Sequence, residues 1–559
     1  MGAQGLWLIA WGLVIAGCDS GGEVAPPPTA PQASASARDS AVVLEWPAQA
    51  DAVSYNVYWA TTSGVTTGTQ EVLRNVTPPV QHTELSNGVT YYYVVTAVGA
   101  GGESEASAEV SATPQPAPEA PAGLLVNAGD EQITVTWNTT PGASAYRVRA
   151  TDAEGNPVGD TPATTRDTNY VLSGLVNGTT YHVQITALNS SGESSASQSV
   201  SITPTRLLDV ALASTHLCAL RSTGNLWCWG NNQKGQFGNG STSTELSTVA
   251  QLVRSADSWT STAAGIFHSC GTKQDGSLWC WGENGLGQLA TTVVDGATEP
   301  RGVDLPEPDV AKVTSGATAQ HSCALTAQGS LWCWGGNFFG QVGNDSSNSS
   351  ASPARIGEAD AWRNVAVSSL HTCGIKKDAS LWCWGANFMG QLGDGSFTDR
   401  LAPTQIGTEK TWRAVSASVA NTCAIEAGGA LWCWGFNDAG QIGDGTLDLR
   451  GAPVLVAGDA SWREVAAGTA FTCGIRDDAS LWCWGGNGHG ELGDGTNENR
   501  TEPTANLLTG PWDKVYAGDF TACATRPGGD LYCWGDNANG LLGAADPAAN
   551  ASPALIGVP

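Results

Sequence analysis

The sequence predicts an all-β protein that, from residue 207 onward, is one short unit copied seven times. Three observations carry the prediction. The pentapeptide LWCWG recurs at 226–230, 278–282, 331–335, 381–385, 431–435 and 481–485, with LYCWG at 531–535. Each copy's cysteine follows another cysteine ten residues earlier. Between the copies no run keeps a helical period, and strand-like pieces stop at Gly, Asp or Pro. A repeat of about 50 residues points to a propeller or another repeat architecture.

Composition agrees and narrows the function. Seventy glycines and 23 tryptophans in 559 residues suit many turns and a large aromatic payload. The formal net charge is −27, and both halves of the chain are acidic. A binder of the phosphate backbone needs a basic footprint, so no nucleic-acid partner is expected. No Gly-rich phosphate loop, serine elbow or HExxH motif occurs, so no catalytic residue, cofactor or metal is expected.

Residues 6–16, LWLIAWGLVIA, are an apolar run too short to span a bilayer, followed by Ile15-Ala16-Gly17-Cys18. This resembles the bacterial lipobox. The resemblance implies a signal peptide over 1–17, lipidation of Cys18, export, and a lipid anchor in a bacterial membrane, at the outer membrane or cell surface or on the periplasmic face of the inner membrane. One departure is that the segment MGAQG carries no Lys or Arg. Residues 18–31, rich in Gly, Ser and Pro, are expected to be a flexible tether.

Residues 32–114 and 122–205 repeat one pattern, joined by a Pro-rich linker at 115–121. Strand-like runs around Trp46 and Trp137 are matched by LSNGVTYYYVVTAVGAGGES (85–104) and LVNGTTYHVQITALNSSGES (175–194). Both segments resemble the fibronectin type III domain. The resemblance implies two β-sandwiches with Trp46 and Trp137 in their cores. It also implies a tyrosine corner at Tyr91 and at Tyr181, whose hydroxyl bonds backbone upstream. These two domains are read as spacers that hold the rest of the chain away from the membrane.

Within each repeat the cysteine spacing sets a hairpin register. Cys473 opposes Cys483, Gly474 opposes Trp482 and Ile475 opposes Leu481, and the other six units follow. The residue opposite the first Trp is always Ala or Gly, as an indole lying across the strand pair would require. Because side chains alternate, one blade face carries Leu and Cys and the other two Trp rings. Opposed cysteines at cross-strand distance can close a disulfide. Export favours the pairs Cys218–Cys228, Cys270–Cys280, Cys323–Cys333, Cys373–Cys383, Cys423–Cys433, Cys473–Cys483 and Cys523–Cys533. Reduced buried thiols are the alternative.

The unit resembles the repeat of the regulator of chromosome condensation family, over 207–559. The resemblance implies a seven-bladed β-propeller, and the last segment, Ser552-Pro553-Ala554-Leu555-Ile556, is expected to pair beside the first blade and shut the ring. The exchange-factor activity of that family's founder on a GTPase is not expected, because nothing in the loops matches a wedge for a nucleotide site. His216, His268, His321 and His371 precede a cysteine by two residues, where other units have Asn421, Phe471 and Thr521. They are read as framework histidines. The segments 394–399, 444–448 and 494–496 suggest calcium loops but lack a full oxygen series, and are read as turns.

Positions that vary between copies are free for recognition. The pair between a framework Asn and Gly varies most, and those loops should ring one rim. The candidate binding residues are Lys234, Leu286, Phe338, Phe339, Phe388, Met389, Phe436 and His489. The expected function is a membrane-anchored module that binds an unknown protein, without catalysis. The alternatives are an enzyme acting on envelope polysaccharide or peptidoglycan, which needs paired carboxylates with raised pKa in the central funnel, and a purely structural envelope protein.

Overall fold

The computed structural model describes residues 25–254, 258–293, 295–357, 361–458, 461–543 and 549–558, all in strands, turns and loops. The signal segment and Cys18 lie outside the described residues. The two N-terminal segments form sandwiches of matching topology. In the first, strands Ser34–Arg38, Ala41–Glu45 and Val80–His82 face a sheet built on Ala52–Ala60 and Tyr91–Gly99. In the second, Leu125–Ala128, Gln132–Thr136 and Asn169–Ser173 face a sheet built on Ala145–Thr151 and Tyr181–Asn189. Trp46 and Trp137 are buried, edge-on to Tyr55 and Tyr146. The corner geometry is as expected: the Tyr91 hydroxyl accepts the Ser86 N–H at 3.0 Å, and the Tyr181 hydroxyl accepts the Val176 N–H at 3.0 Å. The tether is shorter than expected, because Pro28 and Pro31 are buried against the first sandwich.

From 207 the chain forms seven four-stranded antiparallel blades, at 207–252, 259–303, 310–355, 362–406, 412–455, 462–505 and 514–556. Blade four shows the pattern: an inner strand Trp362–Val367, then His371–Lys376, then Leu381–Gly385, then an outer strand Arg400–Ile406. The inner strands surround a central channel. The cysteine register holds in every blade, and all seven expected disulfides are present, with Cα atoms 4.0–4.1 Å apart. That separation is close to the spacing of a non-hydrogen-bonded antiparallel pair.

The Leu-Cys face of each blade packs on the Trp face of the next. Blade four offers Cys373, Ile375, Leu381 and Cys383 to Trp412 and Trp434 of blade five. Blade seven offers Cys523, Leu531 and Cys533 to Leu207 and Trp229 of blade one, so the same contact closes the ring. The second Trp of each motif also donates its indole N–H to a backbone carbonyl of the preceding blade. Trp281 reaches Gln236, Trp334 Gln288, Trp384 Gln341, Trp434 Gln391, Trp484 Gln441, Trp534 Glu491 and Trp229 Leu541, all at 2.7–3.1 Å. In six of the seven contacts a glycine follows this carbonyl by two residues and gives the indole room; after Gln288 the position is Ala290, which keeps the positive φ at +57°. At Gly393, φ is +78° and an added Cβ would stand 2.5 Å from the Trp434 nitrogen.

The small residue opposite the first Trp has a different cause from the one expected. The ring that covers Gly374 belongs to the inner-strand Trp362, not to its cross-strand partner Trp382. Where that small residue is Gly, the inner-strand Trp lies 5.4–5.6 Å from the buried Trp of the motif. Where it is Ala424 or Ala524 the distance grows to 6.2 and 6.5 Å. The first Trp of the motif is instead half-buried in most blades, though buried at Trp332, and in several it is capped by a cation, with Lys376 3.8 Å above Trp382 and Arg476 3.6 Å above Trp482.

Ring closure also differs. The last strand, Asn550–Ile556, pairs with Leu531–Gly535 as the outer strand of blade seven, not with blade one. Among the described residues every blade is thus four consecutive strands, and no shared sheet joins blade seven to blade one. The seam is covered by the second sandwich, which is docked rather than free. Asp530 of blade seven accepts hydrogen bonds from Asn127 Nδ2 at 3.0 Å and Thr134 Oγ1 at 3.0 Å. Arg221 of blade one, also buried, donates to the carbonyls of Ala128 at 2.8 Å, Thr205 at 3.1 Å, and Val558. The Asp130 N–H reaches Gly528 O at 2.7 Å. Blades one and seven therefore meet on a third surface, supplied by the sandwich.

Asp530→Ala removes the acceptor of Asn127 and Thr134 and leaves both donors buried. The propeller transition should lose about 2 kcal/mol in urea denaturation. Asp275→Ala, an exposed turn residue of blade two, should change it by less than about 0.5 kcal/mol.

Candidate functional site

Two ends of the propeller carry chemistry, and the strand direction separates them. The loops after the third strands, with the variable pairs, lie at one end. The turns before the third strands, including 527–530 where the sandwich docks, lie at the other. A five-residue strand such as Leu531–Gly535 puts about 17 Å between them.

Each variable loop is built the same way. The framework Asn side-chain oxygen accepts the N–H five residues on, as Asn387 does from Leu392 at 3.0 Å, while its amide donates to the outer loop, at Ser396 O, 3.0 Å. In five blades the Gln of the Gly-Gln pair accepts the N–H of the second variable residue, as Phe339 to Gln341 at 2.9 Å and Met389 to Gln391 at 2.9 Å; Glu491 does so in blade six, and blade seven has Leu541 there. The second residue is thereby drawn inward and the first is left outside. Phe338 is 60% exposed and Phe388 46%.

The structure joins some of the expected rim residues and separates others. The Phe339 and Phe388 rings stand 6.0 Å apart, bringing blades three and four together, with Phe338 and Met389 beside them in sequence. Lys234 pairs with Glu283 of the next blade at 3.2 Å. Leu286 lies against Gly336 of blade three. His489 stacks on Phe520 at 5.2 Å, with Asp536 at 3.9 Å. Phe436 is half-buried, its N–H bound to Ala420 O. Two exposed residues were missed by the sequence reading. Phe397, 55% exposed, packs between Gly390 and Gly451, and Leu401, 40% exposed, packs against Gly340. They extend the Phe338–Phe388 patch onto the outer loop of blade four. The signal was present: the residue after Asp-Gly-Ser/Thr varies as Phe397, Leu447 and Asn497.

The aspartates of those outer loops are occupied. Asp394 is held by Arg400 at 2.6 Å and by the Ser396 hydroxyl at 2.7 Å, and Arg450 and Arg500 hold Asp444 and Asp494 in the same way. Burial pushes the Asp394 carboxyl up, but bonds from Ser396 and Arg400 outweigh it and hold the group below its ordinary value.

The four histidines are framework, as expected. Each is buried, with Nε2 on a hydroxyl of the next blade: His216 on Ser269 at 2.7 Å, His268 on Ser322 at 2.8 Å, His321 on Thr372 at 2.8 Å and His371 on Thr422 at 2.7 Å. Thr372 and Thr422 already donate to Gln341 O and Gln391 O, so the imidazole supplies the hydrogen. Burial lowers the pKa of His216, His321 and His371 to about 3 and of His268 to about 4. At the equivalent position Asn421 is buried with neither side-chain atom bonded.

The central channel holds ionisable groups the sequence reading did not single out. Asp209, Lys312, Asn364 and Tyr516 line it. Glu464 and Lys514 hold the positions equivalent to Asp209 on blades six and seven. Burial pushes the Asp209 carboxyl up against the pull of Lys312 and Lys514, and pushes Glu464 up to about 7 against Lys514 and Arg463. Among the described residues no group of three or more His, Cys, Asp or Glu is placed to hold a metal ion.

Comparison with known proteins agrees with this geometry. The regulator of chromosome condensation (RCC1) repeat matches residues 209–236, 259–288, 310–341, 362–391, 462–491 and 512–541 in one form, and 223–271, 328–375, 378–425 and 428–475 in another. The propeller is built of RCC1 repeats. The fibronectin type III domain matches residues 119–203. The RCC1-repeat chain is 32% identical over 155 residues to the human probable E3 ubiquitin-protein ligase HERC3, 27% of this chain and 14% of the ligase. It is 29% identical over 144 residues to human HERC2, 25% of this chain and 3% of that one. The chain thus spans a small fraction of these relatives. Among solved structures, human WBSCR16 superposes with a TM-score of 0.55 at 21% identity, covering 60% of this chain and 94% of that one. Prp20p from Saccharomyces cerevisiae superposes with a TM-score of 0.54 at 19% identity, covering 62% and 88%. These likenesses establish the fold.

Two opposing pH dependences follow. A histidine whose native pKa is lowered contributes stability that is complete above about 6.5 and is lost as pH falls toward the native value. Each of the four should therefore cost about 1.4 kcal/mol per pH unit below 6.5. His371→Asn should flatten this acid limb by one histidine's share in urea midpoints between pH 6.5 and 4. Glu464, with its pKa raised, contributes stability that is lost as pH rises from its ordinary range through about 7. Glu464→Gln should abolish a decline between pH 5 and 8 and leave the acid limb in place.

Proposed function

We propose that this is an exported, lipid-anchored binding protein, tethered through Cys18, that captures a protein partner on the variable rim of its propeller without catalysis. The observation that carries the reading is the apolar patch on blades three and four, where exposed Phe338, Phe388, Phe397 and Leu401 surround the half-buried Phe339. It lies at the end opposite the docked sandwich, so an anchor acting through the sandwiches leaves that rim outward. Contiguous exposed aromatic surface marks interaction sites, and aromatic anchors dominate their energetics. The first sandwich, with the topology of the second, is read as a further fibronectin type III spacer. Among the solved structures of this fold, yeast RCC1 (Prp20) is bound to Kap60, and Prp20p from Saccharomyces cerevisiae has binding properties toward Gsp1p and histones. They support protein recognition as a use of this fold.

An envelope hydrolase is the second reading, favoured by the raised carboxylates Asp209 and Glu464. Both sit on inner strands, and Asp209 lines a channel of about 300 Å³. A polymer substrate needs an open groove with the two carboxylates astride a bond, which suits this narrow channel less well than recognition suits the rim.

The test is affinity capture with the full chain from envelope extract, followed by titration of the captured protein. Phe338→Ala with Phe388→Ala should weaken binding by about thirtyfold or more and leave the thermal midpoint unchanged, since both rings are solvent-facing. Undiminished binding by the double variant would rule out the rim.

A further inference from the structure

The central channel has a feature that framework packing does not account for. In six of the seven blades the inner strand carries a bulge after its first residue, as between Leu207 and Asp209 or between Trp362 and Asn364. A bulge re-aims the side chain that follows it. The position so placed reads, around the ring, Asp209, Ser261, Lys312, Asn364, Ala414, Glu464 and, at the equivalent point of blade seven, Lys514. The next position is nearly constant: Val210, Thr262, Val313, Val365, Val415, Val465, Val515. A repeat that keeps its packing residue and varies its neighbour in charge has released that neighbour from a framework role.

The polar groups at this level are only partly used. Asn364 Oδ1 accepts the Val365 N–H at 2.9 Å, but among the described residues its amide N–H groups make no hydrogen bond. Lys312 has no carboxylate within ion-pair distance among the described residues and is exposed to the channel. Asp209 accepts only its neighbour's N–H at 3.1 Å and a long contact from Thr262 N at 3.4 Å. Keeping an anion in this position is unfavourable, as its raised pKa records. The channel is about 300 Å³, at the small end of ligand sites. At the rim end the first loop of blade three, two residues longer than that of blade four, reaches across it. Ala317 O takes the Ser214 N–H of blade one and Ala319 O the Ile266 N–H of blade two. Gly316 lies tight against Val367 and Ser368 of blade four. The result is a polar recess with a carboxylate on blade one and an ammonium and amide on blades three and four.

We propose that the channel binds a small zwitterion of the amino-acid or dipeptide class, its ammonium on Asp209 and its carboxylate on Lys312 and the Asn364 amide. This site is separate from the rim and does not rest on the rim reading. Calorimetric titration of the full chain with alanylalanine tests it, with acetate and ethylamine as single-charge probes. The expected result is one site with Kd below about 1 mM, and binding of either probe at least about tenfold weaker. Lys312→Met and Asp209→Asn should each weaken the dipeptide by about tenfold or more, while Phe388→Ala leaves it unchanged. Lys312 is exposed, so its variant should keep the wild-type thermal midpoint, which is measured alongside. No heat at about 10 mM dipeptide, equal binding of acetate or ethylamine, or full affinity in a folded Lys312→Met variant would overturn the proposal.

Discussion

Each blade gives its neighbour one indole N–H, and the propeller is organised around that gift. The acceptor is a backbone carbonyl in the rim loop of the preceding blade, so the bond links the buried face of one sheet to the loop that ends the sheet before it. For the carbonyl to be reached, the loop must turn tightly through a positive φ with little or no side chain, hence Gly393 and its counterparts, and Ala290 in blade two. For the loop to hold that turn, Asn and Gln side chains must satisfy its N–H groups. Packing of Leu and Cys against Trp, the hydroxyl–histidine bonds and the shape of the rim all follow from this one directional contact. An apolar interface alone would let blades slide, whereas a buried donor with a single acceptor does not.

Most of this was legible in the chain. The ten-residue cysteine spacing carried the hairpin register, because a hairpin with opposed residues leaves no freedom in the pairing of Gly374 with Trp382 or Ile375 with Leu381. What failed was the step from pairing to packing. Gly374 is small on account of Trp362, twelve residues upstream on another strand, and a two-strand argument has no view of a third strand. The docking of the second sandwich was equally hidden. Asp530 and Arg221 look like ordinary turn charges in sequence, and only the docking of a sandwich 403 residues before the one and 93 before the other buries them.

The candidate rim shows the same division. Residue variability located the loops, since framework positions repeat and free ones do not. It did not say which free residues touch. Lys234 and His489 are engaged by the neighbouring blade, through Glu283 and Phe520, while Phe338 and Phe388 stay outside and are joined by Phe397 from a loop that had been read only as a turn. The channel residues were missed for a different reason. A bulge leaves no mark in the pattern of a six-residue strand, so nothing in the sequence singled out Asp209 and Lys312, which the structure places along the channel.

The disulfides have a consequence for how the chain is made. Each cysteine's partner lies ten residues back, and the next cysteine is 40 or more residues further on. During vectorial synthesis a hairpin can therefore oxidise before the thiols of the next repeat exist in the growing chain. Fourteen cysteines would ordinarily demand an isomerase to sort their pairings. In this order of emergence the native partner is always the nearest one, so a simple oxidant suffices and scrambling is avoided by timing.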